Sequence, residues 1–213
     1  MTGIVAQNVG RTSGLIKAAS GGGGVWTLIK TLTSDGSDDD LSFVDGTDDV
    51  TLDSTYPIYL FKFINIHPET DNAEFQFNLS IDGGSNYNVT KTSTYFYTYI
   101  YESDAGAALT YNTTGDLAQS TAFQNIATNV GADNDQSVSG CLTIFSPSST
   151  TFVKHWISQI SNAHGSDLMT NPYTAGYGNT TSAVDAVQFK FSADEIQGGK
   201  IKLYGLKDSA WVE

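Results

Sequence analysis

Period-two alternation of apolar and polar residues runs through most of this chain, and no long helical repeat accompanies it. A segment with that period buries one face only as a β-strand, so the pattern restricts the chain to an all-β architecture. Ala73 to Ile81 is the cleanest case, with Phe75, Phe77, Leu79 and Ile81 on one side and Glu74, Gln76, Asn78 and Ser80 on the other. Val25 to Thr33, Ser137 to Phe145, Ala186 to Ser192 and Lys200 to Leu206 alternate in the same way. Tyr56 to His67 is apolar on both faces, as suits a central strand. Asp82-Gly83-Gly84-Ser85-Asn86 supplies the positive φ angles of a tight hairpin after Ile81. Phe152, Val153, Trp156, Ile157 and Ile160 also fit a helical face, but their β-branched, Ser-rich surroundings favour a strand. Phe123, Ile126 and Val130 are left open between helix and strand. Strands divided by turn clusters, without βα alternation, indicate an all-β sandwich or barrel.

At 213 residues the chain can bury a substantial core in one domain, here residues 25–213. Residues 1–24 differ in composition and end in Gly21-Gly22-Gly23-Gly24. They are read as an extended N-terminal arm, either idle or docking on a neighbour through Ile4, Val5, Val9, Leu15 and Ile16. The N-terminus has no continuous apolar stretch of the kind a secretory signal carries, and no segment approaches a membrane span. The single cysteine, Cys141, excludes an internal disulfide, and its strand position is that of a small buried hydrophobe. A formal charge of -13 sets the chain against phosphate backbones, so no nucleic-acid partner is expected.

Motifs of nucleophilic, nucleotide and zinc chemistry are absent from the sequence. His67, His155 and His164 have unrelated spacings, and no cofactor is expected. Glu69, Asp71, Glu74 and Glu102 are candidates for paired-carboxylate chemistry by residue type alone. An acidic cluster begins at Asp35, Asp38, Asp39 and Asp40 and continues to Asp53. Calcium favours such hard oxygen groups, while a solvated loop needs the same composition, and the sequence leaves both readings open. Tyr95, Tyr97, Tyr99 and Tyr101 occupy alternate positions and form a ladder on one strand face. A ladder of this kind suits sugar stacking, a subunit interface or packing under a loop.

The stretches Tyr59 to Pro68 (YLFKFINIHP), Glu74 to Asn78 (EFQFN), Leu142 to His155 (LTIFSPSSTTFVKH), Gln188 to Ser192 (QFKFS) and Gly198 to Lys207 (GGKIKLYGLK) together resemble virion structural proteins of marine tailed bacteriophages. The likeness spans about Val25 to Lys207 and consists of strands and turns, without a catalytic signature. It implies a jelly-roll-like protein on the particle exterior, assembled in the host cytoplasm and non-enzymatic. The implied role is capsid decoration, with other virion proteins as partners. The alternative is a tail or fibre module that reads host glycans through the tyrosine face. A homo-oligomer is expected, and a trimer by analogy with capsid and fibre symmetry.

Overall fold

The computed structural model describes residues 26–207, which contain twelve β-strands and no helix. The strands are β1 (Trp26–Thr33), β2 (Leu41–Val44), β3 (Ile58–Pro68), β4 (Ala73–Ser80), β5 (Lys91–Tyr101) and β6 (Ala107–Tyr111). They continue as β7 (Gln124–Val130), β8 (Val138–Phe145), β9 (Lys154–His164), β10 (Leu168–Gly178), β11 (Ala186–Phe191) and β12 (Ile196–Leu206). All pairings are antiparallel. A large wall runs β1-β12-β3-β8-β9-β10-β5-β6, and a small wall runs β7-β4-β11-β2. The two join only where Val130 of β7 meets His164 of β9, so the sandwich is nearly closed into a barrel.

The alternation predicted for β4, β11 and β12 is realised. Phe75, Phe77, Leu79, Val187, Phe189, Ile201 and Leu203 are all buried between the walls. Phe189 lies at the centre of an aromatic cluster, 5.1 Å from Phe61 and 5.2 Å from Phe63 across the gap between the walls. Phe77 packs edge-on against Trp156 at 5.0 Å. Aromatic pairs of this geometry add to the transfer energy of burial. The segment around Trp156 is strand β9, with Trp156 and Ile160 inward and Ile157 outward, and the segment left open becomes β7. β3 is an interior strand of the large wall, between β12 and β8, but its outer face is not covered, since Lys62 and Ile64 stand exposed there.

Several expectations are corrected. The Asp82–Asn86 turn forms, with Gly83 and Gly84 at φ 70° and 78°, but it does not close a hairpin. β5 leaves β4 after the contact Val89 N to Leu79 O and pairs with β10 and β6 in the other wall. Exposed Ile81 stands past the end of β4, outside its apolar face. Asn78 and Ser80, expected outside, are buried: Asn78 bonds to Tyr87 O and Lys91, and Ser80 Oγ accepts from the backbone N–H groups of Asp82 and Gly84 in the turn that follows. A register shift between Leu28 and Lys30 breaks the alternation of β1, so Ile29 and Leu32 pack against the core while Leu28 is exposed. Cys141 is half-buried on the outer face of β8, because Leu142 and Ile144 set the inward phase. The arm residues Ile4, Val5, Val9, Leu15 and Ile16 lie outside the described residues.

β10 carries Pro172 in the interior of a sheet, where a proline removes a ladder donor. Its pairing with β9 is interrupted between Thr170 and Tyr173, and the Asn171 side-chain amide donates to the carbonyl of Ile160, opposite the proline. The local sequence thus supplies the hydrogen bond that its own proline withholds.

Candidate functional site: a tyrosine-lined cleft

β5 holds the tyrosine ladder on one face. Ring centroids are 6.2 Å apart from Tyr95 to Tyr97, 6.2 Å from Tyr97 to Tyr99 and 5.7 Å from Tyr99 to Tyr101. Interplanar angles of 73°, 38° and 86° alternate ring faces with ring edges instead of building one flat platform. Burial falls steadily along the strand. Tyr95 is fully buried and Tyr101 is 39 % exposed.

Tyr95 is therefore not a contact residue for a ligand. Its hydroxyl is 3.4 Å from Thr128 Oγ1 on β7, which ties the two walls together, and burial pushes its phenol well above the ordinary range. Tyr97, Tyr99 and Tyr101 line a cleft of about 610 Å³ between the walls. Opposite them stand Thr128 and Asn129 of β7 and Glu74 of β4, with Thr170 and His164 on the β10 and β9 side. Thr170 lies directly across from Tyr99 in the ladder. The rim is the turn after β6, where Asn112 Oδ1 accepts from Thr114 N, Thr114 Oγ1 and Gly115 N. Tyr111 is anchored beside it by donating to Asp116 at 2.7 Å.

Two features set the chemistry of this cleft. His164 Nδ1 accepts from the backbone N–H of Ser166 at 3.1 Å, which places the neutral ring's proton on Nε2. Burial lowers its pKa, opposed by the nearby Asp71 carboxylate, so the ring is neutral at pH 7. Behind the wall, Asn162 donates to Thr128 O and to Thr170 Oγ1, both at 3.0 Å, and its buried Oδ1 has no protein partner. The cross-strand pair Ser158 and Thr174 leaves both hydroxyls without protein partners as well. The inner face of β9 and β10 is polar here, unlike the core around Phe189.

The other sequence candidates do not converge. Of the four carboxylates named by type, only Glu74 lines the cleft. His67 Nδ1 contacts the carbonyl of Gln136, while His155 is exposed near Tyr177. Asp35, Asp38, Asp39 and Asp40 are not gathered around one point. Asp35 Oδ1 accepts from Ser37, Asp38 Oδ2 accepts from Asp35 N, and Asp40 Oδ1 accepts from Ser42. Among the described residues no three His, Cys, Asp or Glu side chains are grouped to hold a metal ion. Asp35, Asp38 and Asp40 act as local turn acceptors, for which a short polar side chain suffices.

Sequence reasoning missed β10 and the residues it brings to the cleft, because Pro172, Gly176 and Gly178 interrupt any period-two apolar pattern there. It also missed the buried Lys91, whose ammonium donates to Asn78 Oδ1 and to Val89 O at 2.8 Å. The chain matches no family model, no curated protein and no solved structure.

Proposed function

We propose that this chain is a non-enzymatic protein of a virion exterior that recognises glycans through the tyrosine cleft. The observation that carries the reading is the position of Tyr97, Tyr99 and Tyr101, which line a concave polar space. Carbohydrate recognition asks for aromatic surface beside neutral donors and acceptors. Asn129, Thr170, Ser166 and the neutral His164 supply those groups around the tyrosines. Among the described residues Glu74 is the sole carboxylate lining the cleft, which favours binding over a hydrolysis that needs two. The virion setting rests on the sequence resemblance, whose motifs fall on β3, β4, β8, the start of β9, β11 and β12 and so describe the scaffold.

A glycan array probed with the purified chain tests this. The wild type is expected to bind a defined subset of glycans, and the Tyr97→Ala, Tyr99→Ala variant to lose at least about tenfold in affinity, the scale of one to two aromatic contacts. A blank array with the folded wild type rejects glycan recognition. It would leave the second reading, capsid decoration, which a different observation favours: the outer face of the large wall exposes Leu28, Phe96, Leu109 and Ile157 and carries no carboxylate. Co-sedimentation with particles stripped of this protein would decide it.

A further inference from the structure

The two walls of the sandwich differ on their outer faces. On the small wall the side chains pair in polar contacts, Gln76 with Asn125 at 2.6 Å and Gln188 with Ser42 at 3.0 Å. On the large wall, directly opposed residues share a face, and they make rows that mix apolar side chains with lysine, threonine and glutamine but hold no carboxylate. One row runs Leu28, Tyr204, Leu60, Thr143, Ile157, Ala175, Thr94 across seven strands. The next runs Lys202, Lys62, Cys141, Gln159, Tyr173, Phe96. Beyond these lie Leu109, 68 % exposed, and Ile100 and Met169. Ile157 at the middle is 51 % exposed. No Asp or Glu occurs in any of the eight strands of this wall, although the chain has 23 of them. An acidic protein that keeps one whole sheet face free of carboxylates, with Leu28, Phe96, Ile100, Leu109, Ile157 and Met169 exposed on it, has a contact surface there that no described residue covers.

We infer that this face binds a second copy of the chain, face to face, about a twofold axis lying in the interface parallel to the strands. Charge and aromatic placement select that occupant and that axis. Lys62 and Lys202 are directly opposed on β3 and β12, a like-charge pair that costs stability in the isolated sheet. In the same row, on the far side of the wall's centre, Phe96 and Tyr173 stack at 5.5 Å with an interplanar angle of 5°. Rotation about an axis along the strands, between β8 and β9, exchanges β12 with β5 and β3 with β10. It lays Lys202 over Phe96 and Lys62 over Tyr173 of the second copy, where an aromatic face accepts a cation. The same rotation sets Ile157 against Thr143. An axis across the strands would instead set lysine against lysine.

The size of the face agrees. Eight strands about 4.8 Å apart span roughly 34 Å, and with about 20 Å of overlap along the strands each copy covers about 700 Å², near the roughly 800 Å² per partner of stable interfaces.

Sedimentation equilibrium of the full chain is the test. The wild type is expected to be a dimer. Ile157→Asp and Leu109→Asp alter exposed side chains, and are expected to weaken the dimer at least tenfold while an unchanged far-ultraviolet spectrum and melting temperature report an intact fold. The decisive measurement is a double-mutant cycle between Lys202→Gln and Phe96→Leu. Within one chain β12 and β5 are five strands apart, so these residues touch only across the axis. Coupling in the dimer dissociation constant supports the proposal, and strict additivity overturns it. A monomeric wild type, a trimer, or a dimer indifferent to Ile157→Asp overturns it too, including the case in which some other protein occupies the face.

Discussion

Lys91 is the most unusual single residue of the fold. It is fully buried, and its ammonium meets only the Asn78 amide oxygen and the Val89 carbonyl, with desolvation lowering its pKa to about 7. Asn78 holds the same region by donating to Tyr87 O and Thr121 O, at 2.6 and 3.0 Å. The pair thus fastens the segment that carries the chain from one wall to the other, and losing either partner leaves the other's polar atom buried. Lys154 resembles it, with bonds to the carbonyls of Ser149, Phe152 and Thr180 and a pKa likewise lowered by desolvation. A lysine with a lowered folded-state pKa is deprotonated in the folded chain and protonated in the unfolded chain over the interval between the two values. Stability therefore rises with pH from about 7 toward 9.5, at a slope of up to about 1.4 kcal/mol per pH unit, and the effect ends below pH 7, where both states hold the proton. Urea denaturation at pH 7 and pH 9 is expected to show the rise, and Lys91→Met to flatten most of it. An equal slope in the variant would remove Lys91 as its source. None of this was legible in the sequence, where Lys91 is one of nine lysines on a polar-looking turn.

Bulges and ladder defects decide which way the faces point. Gly199 on β12 has φ 108°, and a Cβ there would lie 2.4 Å from the carbonyl oxygen of Asn65, itself at φ 50° on β3. Gly198, one residue earlier, has open space around its Cα and no such angle. Gly199→Ala is expected to cost about 1–3 kcal/mol and Gly198→Ala little, as midpoints of chemical denaturation will show. Equal effects would mean that the bulge between β12 and β3 relaxes freely. The pairing shifts at Gly198 and Lys200 are invisible in the phrase Gly198-Gly199-Lys200, because either glycine alone satisfies the local pattern. By contrast β4, β8, β11 and the apolar part of β12 were legible, since their core-facing apolar residues recur at every second position. β2 and β6 were not, being four and five residues long with too few periods to register.

Charge is segregated in the molecule as a whole. Every Asp and Glu of the described residues except Glu74 lies in a turn or loop, so the net charge of -13 is concentrated around the ends and edges of the sandwich. Like charges so placed repel in the compact state and are screened by ions within about 10 Å at 0.1 M salt. Calorimetry at fixed protein concentration is expected to show the melting temperature rising by a few degrees as sodium chloride goes from about 20 to 300 mM, the range over which the screening length shrinks several-fold. A falling melting temperature would mean that attractive pairs dominate instead. Keeping carboxylates out of the strands also leaves the large wall's outer face without negative charge, so the solubility of the chain and its contact surface follow from one distribution.

The sequence by itself determined the fold class, the interior place of β3, the inward aromatic face of β4 and β11, and the tyrosine ladder, because each depends on residues two apart within one strand. Tertiary structure decided that the ladder lines a cleft with Tyr95 withdrawn from it, that the Asp35–Asp40 carboxylates stay apart, and that the outer rows of the large wall run unbroken from Leu28 to Ile157. Those properties depend on which strands become neighbours. Strand neighbourhood is set by long-range pairing and by bulges, which a period of two does not encode.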